Sequence, residues 1–357
     1  MTDMRIIQVL PTYAEGDAIG NDVAAIDDIL IEKGFDTDIY AQVTRGTPRK
    51  PAKTLTELAE SRQDVIIYHL SKGSGLNRKI LEYPGKKVMV YHNITPPRYF
   101  AGYNEDAERV ARVGINETRA LAGKFDMVLC DSEFNKQDLL KLGYAPEDVN
   151  VLPIVIPFTD YDAQPDPEVM KKYGDGRTNI LFVGRIAPNK KFQDLIHSFY
   201  YYKRFIDTGA RLILAGSYGD GREAYFERLQ KYVASLELDD VIFTGHIPFS
   251  HILAYYKTAE VFLCLSEHEG FCVPLIEAMY FGVPIIAYDA AAVKGTLSGC
   301  GVLLETKEPE FVAGVIDRVV KDKKLRDEIT KGYPGVLEAL KKERISTLLE
   351  QYLRRIL

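Results

Sequence analysis

The sequence predicts an α/β protein with two doubly wound domains, each built on a parallel sheet. Its 357 residues exceed the range over which a single hydrophobic core usually grows, so two domains are expected. Short apolar runs alternate with longer segments of helical periodicity, which is the pattern of parallel strands joined by helices. The pattern occurs on both sides of a segment rich in proline, aspartate and glycine, residues 156–177, which we interpret as a linker.

The predicted elements follow in order along the two halves. In the first half, apolar runs predict strands near 4–10, 64–68, 86–91 and 126–130, with helices near 20–33 and 104–124. In the second half they predict strands near 178–183, 211–215, 240–244, 260–265 and 283–288. After about residue 305 the periodicity is helical, and it indicates one amphipathic helix at the end. We therefore predict a first domain at 1–158, to which a C-terminal helix at about 336–357 is added, and a second domain at 159–335.

The composition narrows the class of protein. No stretch approaches the roughly 20 apolar residues of a membrane span, and a net charge of −6 gives no support for nucleic-acid binding. The N-terminus enters a strand-like run without the successive regions of a secretion signal, so we expect a cytoplasmic protein. The cysteines lie in apolar neighbourhoods without metal-ligand spacing, and we expect buried, reduced thiols at Cys130, Cys264, Cys272 and Cys300.

The strongest local pattern is the segment 266–279, SEHEGFCVPLIEAM, which directly follows an apolar run. Pro274 and Gly282 predict a short helix between them, which would put Glu277 in its first turn. Glu269 lies in the loop ahead, and both carboxylates suit ribose and hexose hydroxyls. Phosphate or sugar oxygens suit the backbone N–H groups of this loop, which belong to Gly270, Phe271 and Cys272. A structural interpretation, in which one glutamate complements the helix dipole and the other is a loop charge, stays open from this segment alone.

A second loop, residues 184–191, occupies the equivalent position after the predicted strand 178–183 and carries cations. Gly184 permits a tight turn, and Arg185 and Lys190 place two positive charges at one helix start, where an anionic partner is expected. A pyrophosphate fits, because it gains negative charge as it leaves an anomeric carbon and fixed cations then stabilise the transition state. Solvated surface cations near a turn are the alternative.

Together the two loops resemble the signature of the family-4 retaining glycosyltransferases. The matching features are Gly184-Arg185 with Lys190 five positions on, and Glu269 and Glu277 separated by seven residues. The resemblance covers essentially the whole chain. It implies the GT-B fold, in which two Rossmann-like domains face each other across a cleft and the C-terminal helix crosses back to the N-terminal domain.

The resemblance also implies roles, position by position. Arg185 and Lys190 would bind the donor diphosphate, Glu277 the ribose, and Glu269 the hydroxyls of the transferred sugar. Catalysis is expected from four residues, Arg185, Lys190, Glu269 and His92. The remaining donor contacts are expected at Gly184, Gly270, Phe271, Cys272, Val273, His246 and Ile247, of which the last two would lie against the base. The family often has glycine at the place of Cys272, so the shape of the sugar pocket is expected to differ there.

The first half carries weaker signals. Gly16 and Gly20 follow the first strand without the GxGxxG spacing, and they match only in part the loop that approaches the donor phosphates in the resembling family. His92 follows the predicted strand 86–91, where the family has a histidine near the transferred sugar; capping of a neighbouring loop is the alternative. Ser132 is expected first as a helix cap and only second as a ligand contact.

The expected partners are a UDP- or GDP-sugar donor and a saccharide or lipid-linked saccharide acceptor. No cofactor and no metal are expected, because the two DxD strings, at 36–38 and 160–162, fall ahead of a predicted strand and in the linker. Segment 45–87 is rich in lysine and arginine. A solvated surface is its default interpretation, and contact with the inner membrane face is the alternative. Four residues would line an acceptor entrance, namely Arg98, Tyr99, Phe100 and Tyr103.

The expected reaction is retaining transfer of a hexosyl unit by same-face substitution, in which the leaving phosphate takes the acceptor proton. The resemblance suggests a place in the synthesis of a cell-surface polysaccharide or glycolipid. Two alternatives stay open, a nucleotide-sugar 2-epimerase of the same fold and a nucleotide-sugar-binding protein without catalysis. A nicotinamide oxidoreductase is disfavoured because the glycine fingerprint is missing.

Overall fold

The computed structural model describes residues 4–59, 61–218, 221 and 223–357. The chain divides into two compact units. The first consists of Met1–Arg98, Asp106–Pro157 and Leu340–Leu357, and the second of Tyr99–Glu105 and Phe158–Ala339. Within the described part of the chain, no helix combines the length and the apolar character that a membrane span requires.

The first unit is built on a parallel sheet of seven strands in the order β3-β2-β1-β4-β5-β6-β7. Apolar residues on both faces of the central strands explain why helices cover the sheet on both sides. The strands are β1 Arg5–Ala14, β2 Asp36–Arg45, β3 Lys53–Thr54, β4 Val65–Leu70, β5 Lys86–Tyr91, β6 Met127–Cys130 and β7 Val149–Val151. The helices are α1 Ala18–Glu32, α2 Leu76–Lys79, α3 Glu105–Ala120, α4 Glu133–Lys141 and α14 Lys342–Leu353.

Helix α14 completes the core of the first unit, as predicted. Ile345, Leu349 and Leu353 recur every four residues, so they lie on one helix face. All three are buried in the same cluster as Ile26 and Leu30 of α1. The predicted single C-terminal helix is wrong in one respect, because it is divided: α13 ends at Ala339 and α14 begins at Lys342. The interruption coincides with the point at which the chain leaves the second unit.

The second unit has a parallel sheet of six strands in the order β10-β9-β8-β11-β12-β13. Its strands are β8 Asn179–Val183, β9 Arg211–Ala215, β10 Val241–Gly245, β11 Val261–Cys264, β12 Ile285–Tyr288 and β13 Val302–Leu304. Its helices are α5 Pro167–Tyr173, α6 Phe192–Phe205, α7 Glu223–Ser235, α8 Phe249–Thr258, α9 Val273–Tyr280, α10 Val293–Leu297, α11 Pro309–Lys321, α12 Lys323–Thr330 and α13 Tyr333–Ala339. Both sheets thus begin with the 3-2-1-4-5 order of doubly wound folds.

A short excursion of the chain, Tyr99–Glu105, belongs to the second unit although its neighbours in sequence belong to the first. Tyr103 packs edge-on against Tyr225 of α7 with ring centroids 5.1 Å apart. Asn104 donates a hydrogen bond to the carbonyl oxygen of Gly221 at 2.8 Å. The sequence does not predict this excursion, because seven residues without helix or strand periodicity carry no signal of where they pack.

Candidate functional site

The order of strands in the second unit defines where a ligand can bind. β8 has β9 on one side and β11 on the other, so the connections leave β8 and β11 in opposite directions. In open α/β sheets, ligands bind outside the carboxyl ends of the strands at such a switch point. The two loops that the sequence singled out, 184–191 and 265–272, follow β8 and β11. The fold therefore brings them to adjacent positions at this edge of the sheet.

The loop after β8 is shaped by close backbone contacts. Gly184 donates its N–H to the carbonyl oxygen of Ala215 at 2.9 Å, and a Cβ atom at Gly184 would lie 3.3 Å from the ring of Phe182. A larger residue would displace this ring or the loop. Arg185 follows with an exposed side chain. Lys191 adopts a left-handed conformation, φ 55°, at the start of α6.

Asn189, which the sequence analysis did not single out, fixes the two loops to each other. The side-chain amide of Asn189 donates to the backbone carbonyl oxygen of His268 at 2.9 Å, and the backbone carbonyl oxygen of Asn189 accepts the N–H of Glu267 at 2.9 Å. Asn189 is buried. Its position between Pro188 and Lys190, inside the recognised segment, is the signal that could have identified it.

Lys190 and Glu269 form an ion pair across these loops. The Lys190 Nζ atom lies 2.6 Å from Oε1 and 2.5 Å from Oε2 of Glu269. The Lys190 side chain is 19% exposed and that of Glu269 is 7% exposed. Burial opposes the charge of Lys190, but the attraction of Glu269 outweighs it and raises the pKa of the lysine. The raised pKa keeps Lys190 positively charged over the neutral pH range.

Glu277 is held differently from the prediction. Helix α9 begins at Val273, so Glu277 lies beyond the first turn, and a helix-dipole interaction does not account for its position. Instead, its carboxylate accepts hydrogen bonds from the hydroxyl groups of Tyr256 at 2.7 Å and Tyr161 at 3.4 Å. Burial raises the pKa of Glu277. No sequence signal points to these tyrosines, because Tyr256 lies in the preceding helix, α8, which strand β11 separates from α9, and Tyr161 lies in the predicted linker.

The loop ahead of α9 has an unusual backbone at Cys272, whose φ is 75°. This left-handed conformation favours glycine, which explains why glycine is suited to this turn. The carbonyl oxygen of Phe271 accepts a hydrogen bond from the Thr296 hydroxyl. Gly270 and Val273, on either side, are partly buried. The N–H groups here precede a helix start, as the prediction requires, but a bound donor remains a prediction.

Cys130, Cys264 and Cys272 are buried, as predicted, whereas Cys300, which was also expected to be buried, is only partly buried. Their spacing in sequence did not predict that two of them are neighbours in the fold. Cys264, at the end of β11, and Cys272 lie close together, and their Sγ atoms and a carboxylate oxygen of Glu269 all lie within 4.8 Å of one another. A hydrogen bond from Cys272 lowers the pKa of the Cys264 thiol. Spacing of eight residues gives no ligand motif, and only the folding back of the loop brings these atoms together.

His246 and Ile247 follow β10, the edge strand of the second sheet. His246 is exposed and Ile247 is partly buried. Gly245, with φ 70°, turns the chain, and a Cβ atom there would lie 3.5 Å from the ring of Tyr218. Their contact with a base stays a prediction.

In the first unit, Gly16 and Gly20 lie at the switch point between β1 and β4. Gly16 is exposed, with φ 69° and open space around it. Gly20 lies in the first turn of α1, and a Cβ atom there would lie 2.6 Å from the carbonyl oxygen of Ala14. Gly20 therefore permits close packing of α1 on β1, whereas Gly16 supplies the positive φ of the turn, and its contact with a ligand stays a prediction.

His92 lies in a buried polar chain of the first unit. Its Nδ1 atom is 3.1 Å from Oδ2 of Asp131, and its Nε2 atom is 2.8 Å from Nδ1 of His69. His69 in turn contacts the side-chain oxygen of Gln8 at 3.0 Å. Burial opposes the charge of His92, but Asp131 raises its pKa. Both ring nitrogens thus have protein partners, which favours the alternative structural interpretation; contact of His92 with a sugar remains a prediction.

A second carboxyl group, that of Asp22 in α1, lies beside this series of hydrogen-bonded side chains. It accepts the N–H of Val155 at 2.8 Å. Burial raises its pKa to about 7, while the neighbouring His92 opposes the rise. The base of the first unit's switch point therefore contains a carboxyl group that titrates near neutral pH.

Other predicted features have local explanations. Ser132 caps α4 by accepting the N–H of Asn135 at 3.1 Å, as predicted. Asp38 of the first DxD string lies within β2, not ahead of it, and pairs with Lys53 at 2.7 Å. Asp162 of the second string accepts a hydrogen bond from Tyr280 at 2.6 Å. Each of these aspartates thus has a protein partner.

Comparison with known proteins finds similar sequences over much of the chain. Residues 167–336 match the family model described as glycosyl transferases group 1. YtcC of Bacillus subtilis (strain 168), a protein that bears the name of a glycosyltransferase, is 31% identical over 234 residues, which are 60% of this chain and 56% of that relative. The O-antigen chain mannosyltransferase B of Escherichia coli is 22% identical over 290 residues, 79% of this chain and 71% of the relative.

A solved structure shows the same fold over nearly the whole chain. Anabaena HepE, crystallised in complex with UDP and glucose, superposes with a TM-score of 0.73 at 17% identity. The superposition covers 98% of this chain and 100% of HepE. At this identity the likeness establishes the architecture of two Rossmann-like units, and the residues at the switch point must be interpreted from their own contacts.

Proposed function

We propose that this chain is a glycosyltransferase of group 1 and that it catalyses a specific reaction, on the support of the family match over residues 167–336 and of the GT-B fold. The protein transfers a hexosyl unit from a nucleotide-diphospho-sugar to a saccharide or lipid-linked saccharide, with retention of the anomeric configuration. A part in building a cell-surface polysaccharide or glycolipid is supported by the relative named for O-antigen chain synthesis. A UDP-sugar donor is supported by the UDP and glucose bound to HepE.

The observation that carries the proposal is the Lys190–Glu269 pair at the switch point between β8 and β11. A buried carboxylate that binds one lysine bidentately still has lone pairs for sugar hydroxyls. The lysine has a third N–H, which is available to a diphosphate oxygen in this proposal. Arg185, on the same loop, adds a second cation. In this proposal the pair offers acceptors to a sugar beside donors to a diphosphate, as sugar transfer from a nucleotide requires.

Glu277 is the proposed ribose contact. Hydrogen bonds from Tyr256 and Tyr161 hold its carboxylate in one orientation while leaving further lone pairs unused. A preorganised acceptor costs little to order on binding, so such a contact contributes to donor affinity. We assign to Glu277 donor binding and not a chemical step.

The proposed chemistry is a same-face substitution. The bond between the anomeric carbon and the diphosphate oxygen breaks, the acceptor oxygen bonds to that carbon, and the acceptor proton passes to the departing diphosphate. Lys190 and Arg185 balance the charge that develops on the diphosphate, and Glu269 orients the sugar through its hydroxyl groups. None of these steps assigns a metal ion or a covalent enzyme intermediate to the protein.

We further propose a cytoplasmic location, with segment 45–87 as the surface that meets a membrane when the acceptor is lipid-linked. Its charge is lower than the composition suggests, because Lys50 and Lys53 pair with Asp27 and Asp38. Vesicle sedimentation is the test. Binding to anionic vesicles but not to zwitterionic ones, reduced by reversal of charge at the exposed Lys79, is expected. Equal sedimentation with both kinds of vesicle argues against the contact.

The central experiment starts with donor identity. UDP-, GDP- and ADP-sugars are compared by thermal shift, because a ligand at 100 times its Kd stabilises the native state by about 2.7 kcal/mol. The stabilising donor is then incubated with saccharide acceptors, and the anomeric configuration of the product is read by NMR. Retention supports the proposal and inversion contradicts it. Conversion of the donor to an epimer without acceptor indicates a 2-epimerase, and donor binding without any turnover indicates a binding protein.

A further inference from the structure

Two thiols and a carboxylate meet at the ion pair of the second unit. The Sγ atoms of Cys264 and Cys272 and a carboxylate oxygen of Glu269 lie within 4.8 Å of one another, and all three residues are buried. The Cys264 Sγ atom also lies 3.5 Å from the hydroxyl oxygen of Ser266. Nothing in the proposed transfer reaction uses either thiol.

We propose that Cys264, Cys272 and Glu269 form a binding site for a soft divalent cation such as Zn²⁺, and that occupation of this site inhibits the protein. Inhibition rests on the proposed function of Glu269 and Lys190, whereas binding of the cation does not. The site is distinct from the diphosphate-bridging metal of transferases with a DxD motif, because thiolates select zinc and its chemical neighbours over magnesium or manganese.

The geometry needs only a small adjustment to coordinate zinc. Zn–S bonds of about 2.3 Å and Zn–O bonds of about 2.0–2.2 Å in a tetrahedron separate the ligand atoms by roughly 3.5–3.8 Å. The present separations are no larger than 4.8 Å. Rotation of side chains closes the difference, and the fourth position would go to water or a Ser266 oxygen.

The charges at the site also favour a divalent cation. Two thiolates and one carboxylate carry three negative charges, and Lys190, 2.5 Å from Glu269, carries one positive charge. A divalent cation brings the total to zero. A buried group of charges is tolerated when it is balanced and each member has a partner. Zinc binds cysteine as the thiolate, so binding of the metal displaces thiol protons.

Occupation of the site changes the pair on which transfer depends. A metal bound to Glu269 takes electron density from an oxygen that now accepts a hydrogen bond from Lys190. It also fixes the loop of residues 265–272 at both ends. The sugar and the diphosphate then lose the acceptor and the donor that the proposed reaction needs, so the metal acts as an inhibitor and not as a cofactor.

Direct binding is measured first, with Cd²⁺ as the probe. The reduced full-length protein is titrated with Cd²⁺, and the thiolate-to-metal charge-transfer absorption in the ultraviolet is followed. One equivalent per chain is expected, with loss of absorption as the pH is lowered. The variants Cys264→Ala and Cys264→Ser remove one ligand, and each should weaken binding about 100-fold or more. Cys300→Ala, which changes a cysteine outside the cluster in the same unit, is the matched control and should bind as the wild type does.

Activity is then measured with Zn²⁺. Transfer by the wild-type protein and by Cys300→Ala should fall with Zn²⁺ and recover on chelation, whereas Cys264→Ala should transfer at the wild-type rate and resist Zn²⁺. Absence of a charge-transfer band, or a band that Cys264→Ala retains, overturns the site. If the charge-transfer band forms but the metal-free protein shows no transferase activity, the metal site is supported and the proposed function is contradicted. Inhibition that is equal in wild type and Cys264→Ala overturns the regulatory role.

Discussion

Breaking the Lys190–Glu269 pair should separate its contribution to stability from its contribution to catalysis. We consider Lys190→Met, Glu269→Gln and the double variant, because each replacement keeps the approximate volume and removes one charge. At a charge separation of about 3 Å and an effective dielectric of about 20, the Coulomb attraction is about 5 kcal/mol. Desolvation of both groups offsets much of this energy.

The expected magnitudes follow from burial. Removal of one partner of a buried pair leaves an uncompensated charge and typically costs about 3–5 kcal/mol. Because Lys190 is 19% exposed, we expect the lower end of this range for each single variant. The double variant leaves no buried charge and should unfold within about 1 kcal/mol of the wild type. The coupling energy between Lys190 and Glu269 in this double-mutant cycle should therefore be large, roughly 3 kcal/mol or more.

Urea unfolding followed by circular dichroism is the assay, since the chain contains no tryptophan to serve as a fluorescent probe. Turnover is measured under conditions in which every variant is folded. The double variant should regain stability but remain at least about 100-fold slower than the wild type, which corresponds to about 2.7 kcal/mol of lost transition-state stabilisation. The control cycle uses Lys203 and Asp240, a pair at 2.6 Å in the same unit whose carboxylate is 28% exposed, and should give about 1 kcal/mol or less.

Two results would refute this reasoning. Stability effects that add within about 0.5 kcal/mol would show that the two charges do not interact in the folded protein. A double variant with wild-type turnover would show that the pair is purely structural. The second result would also remove the basis of the proposed sugar and diphosphate contacts.

The remaining predictions concern groups in both units. Tyr256→Phe should lower the free energy of unfolding by about 1.5–3 kcal/mol, because it removes a hydrogen bond at 2.7 Å to the partly buried Glu277 carboxylate. It should also raise KM for the donor; an unchanged urea midpoint and an unchanged KM would contradict this. Asp22 has a pKa of about 7 in the folded state, which is above the ordinary value of an aspartate. Between about pH 4 and 7 the native protein therefore holds a proton that the unfolded chain has lost. The free energy of unfolding should fall with rising pH in this range, by up to about 1.4 kcal/mol per pH unit. Asp22→Asn should flatten that pH profile, and a slope equal to that of the wild type would count against the assignment. Gly20→Ala should destabilise the protein, because its Cβ atom would lie 2.6 Å from a backbone oxygen. Gly314→Ala, in open space within α11, should stabilise the protein by up to about 1 kcal/mol. Equal effects of the two variants in thermal unfolding would refute the packing argument.

The sequence predicts the loops of the site better than their contacts. Alternating apolar runs locate β8 and β11, and chemistry-bearing residues directly after each strand identify Lys190 and Glu269, which are 79 positions apart. Their direct pairing depends on the order of strands, which periodicity does not encode. For the same reason the partners of Glu277 could not be predicted, since Tyr256 reaches it only after the sheet has formed.

Departures from the prediction arise where the backbone leaves regular structure. Cys264 and Cys272 meet because the loop between them folds back and Cys272 itself adopts a left-handed conformation, and neither feature can be read from a spacing of eight. The excursion Tyr99–Glu105 packs through aromatic contacts without any repeat. The split of the C-terminal helix coincides with a change of unit, which local periodicity does not encode.

The distribution of the chain between the units has a consequence for protein synthesis. The sheet of the first unit leaves the ribosome early, but Ile345, Leu349 and Leu353, which cover its core, are translated only after the whole second unit. Until then the nascent first unit exposes an apolar surface, which is the kind of surface that chaperones bind. A ribosome-bound chain stopped before residue 340 should therefore be sensitive to protease in its first unit while its second unit is already protected.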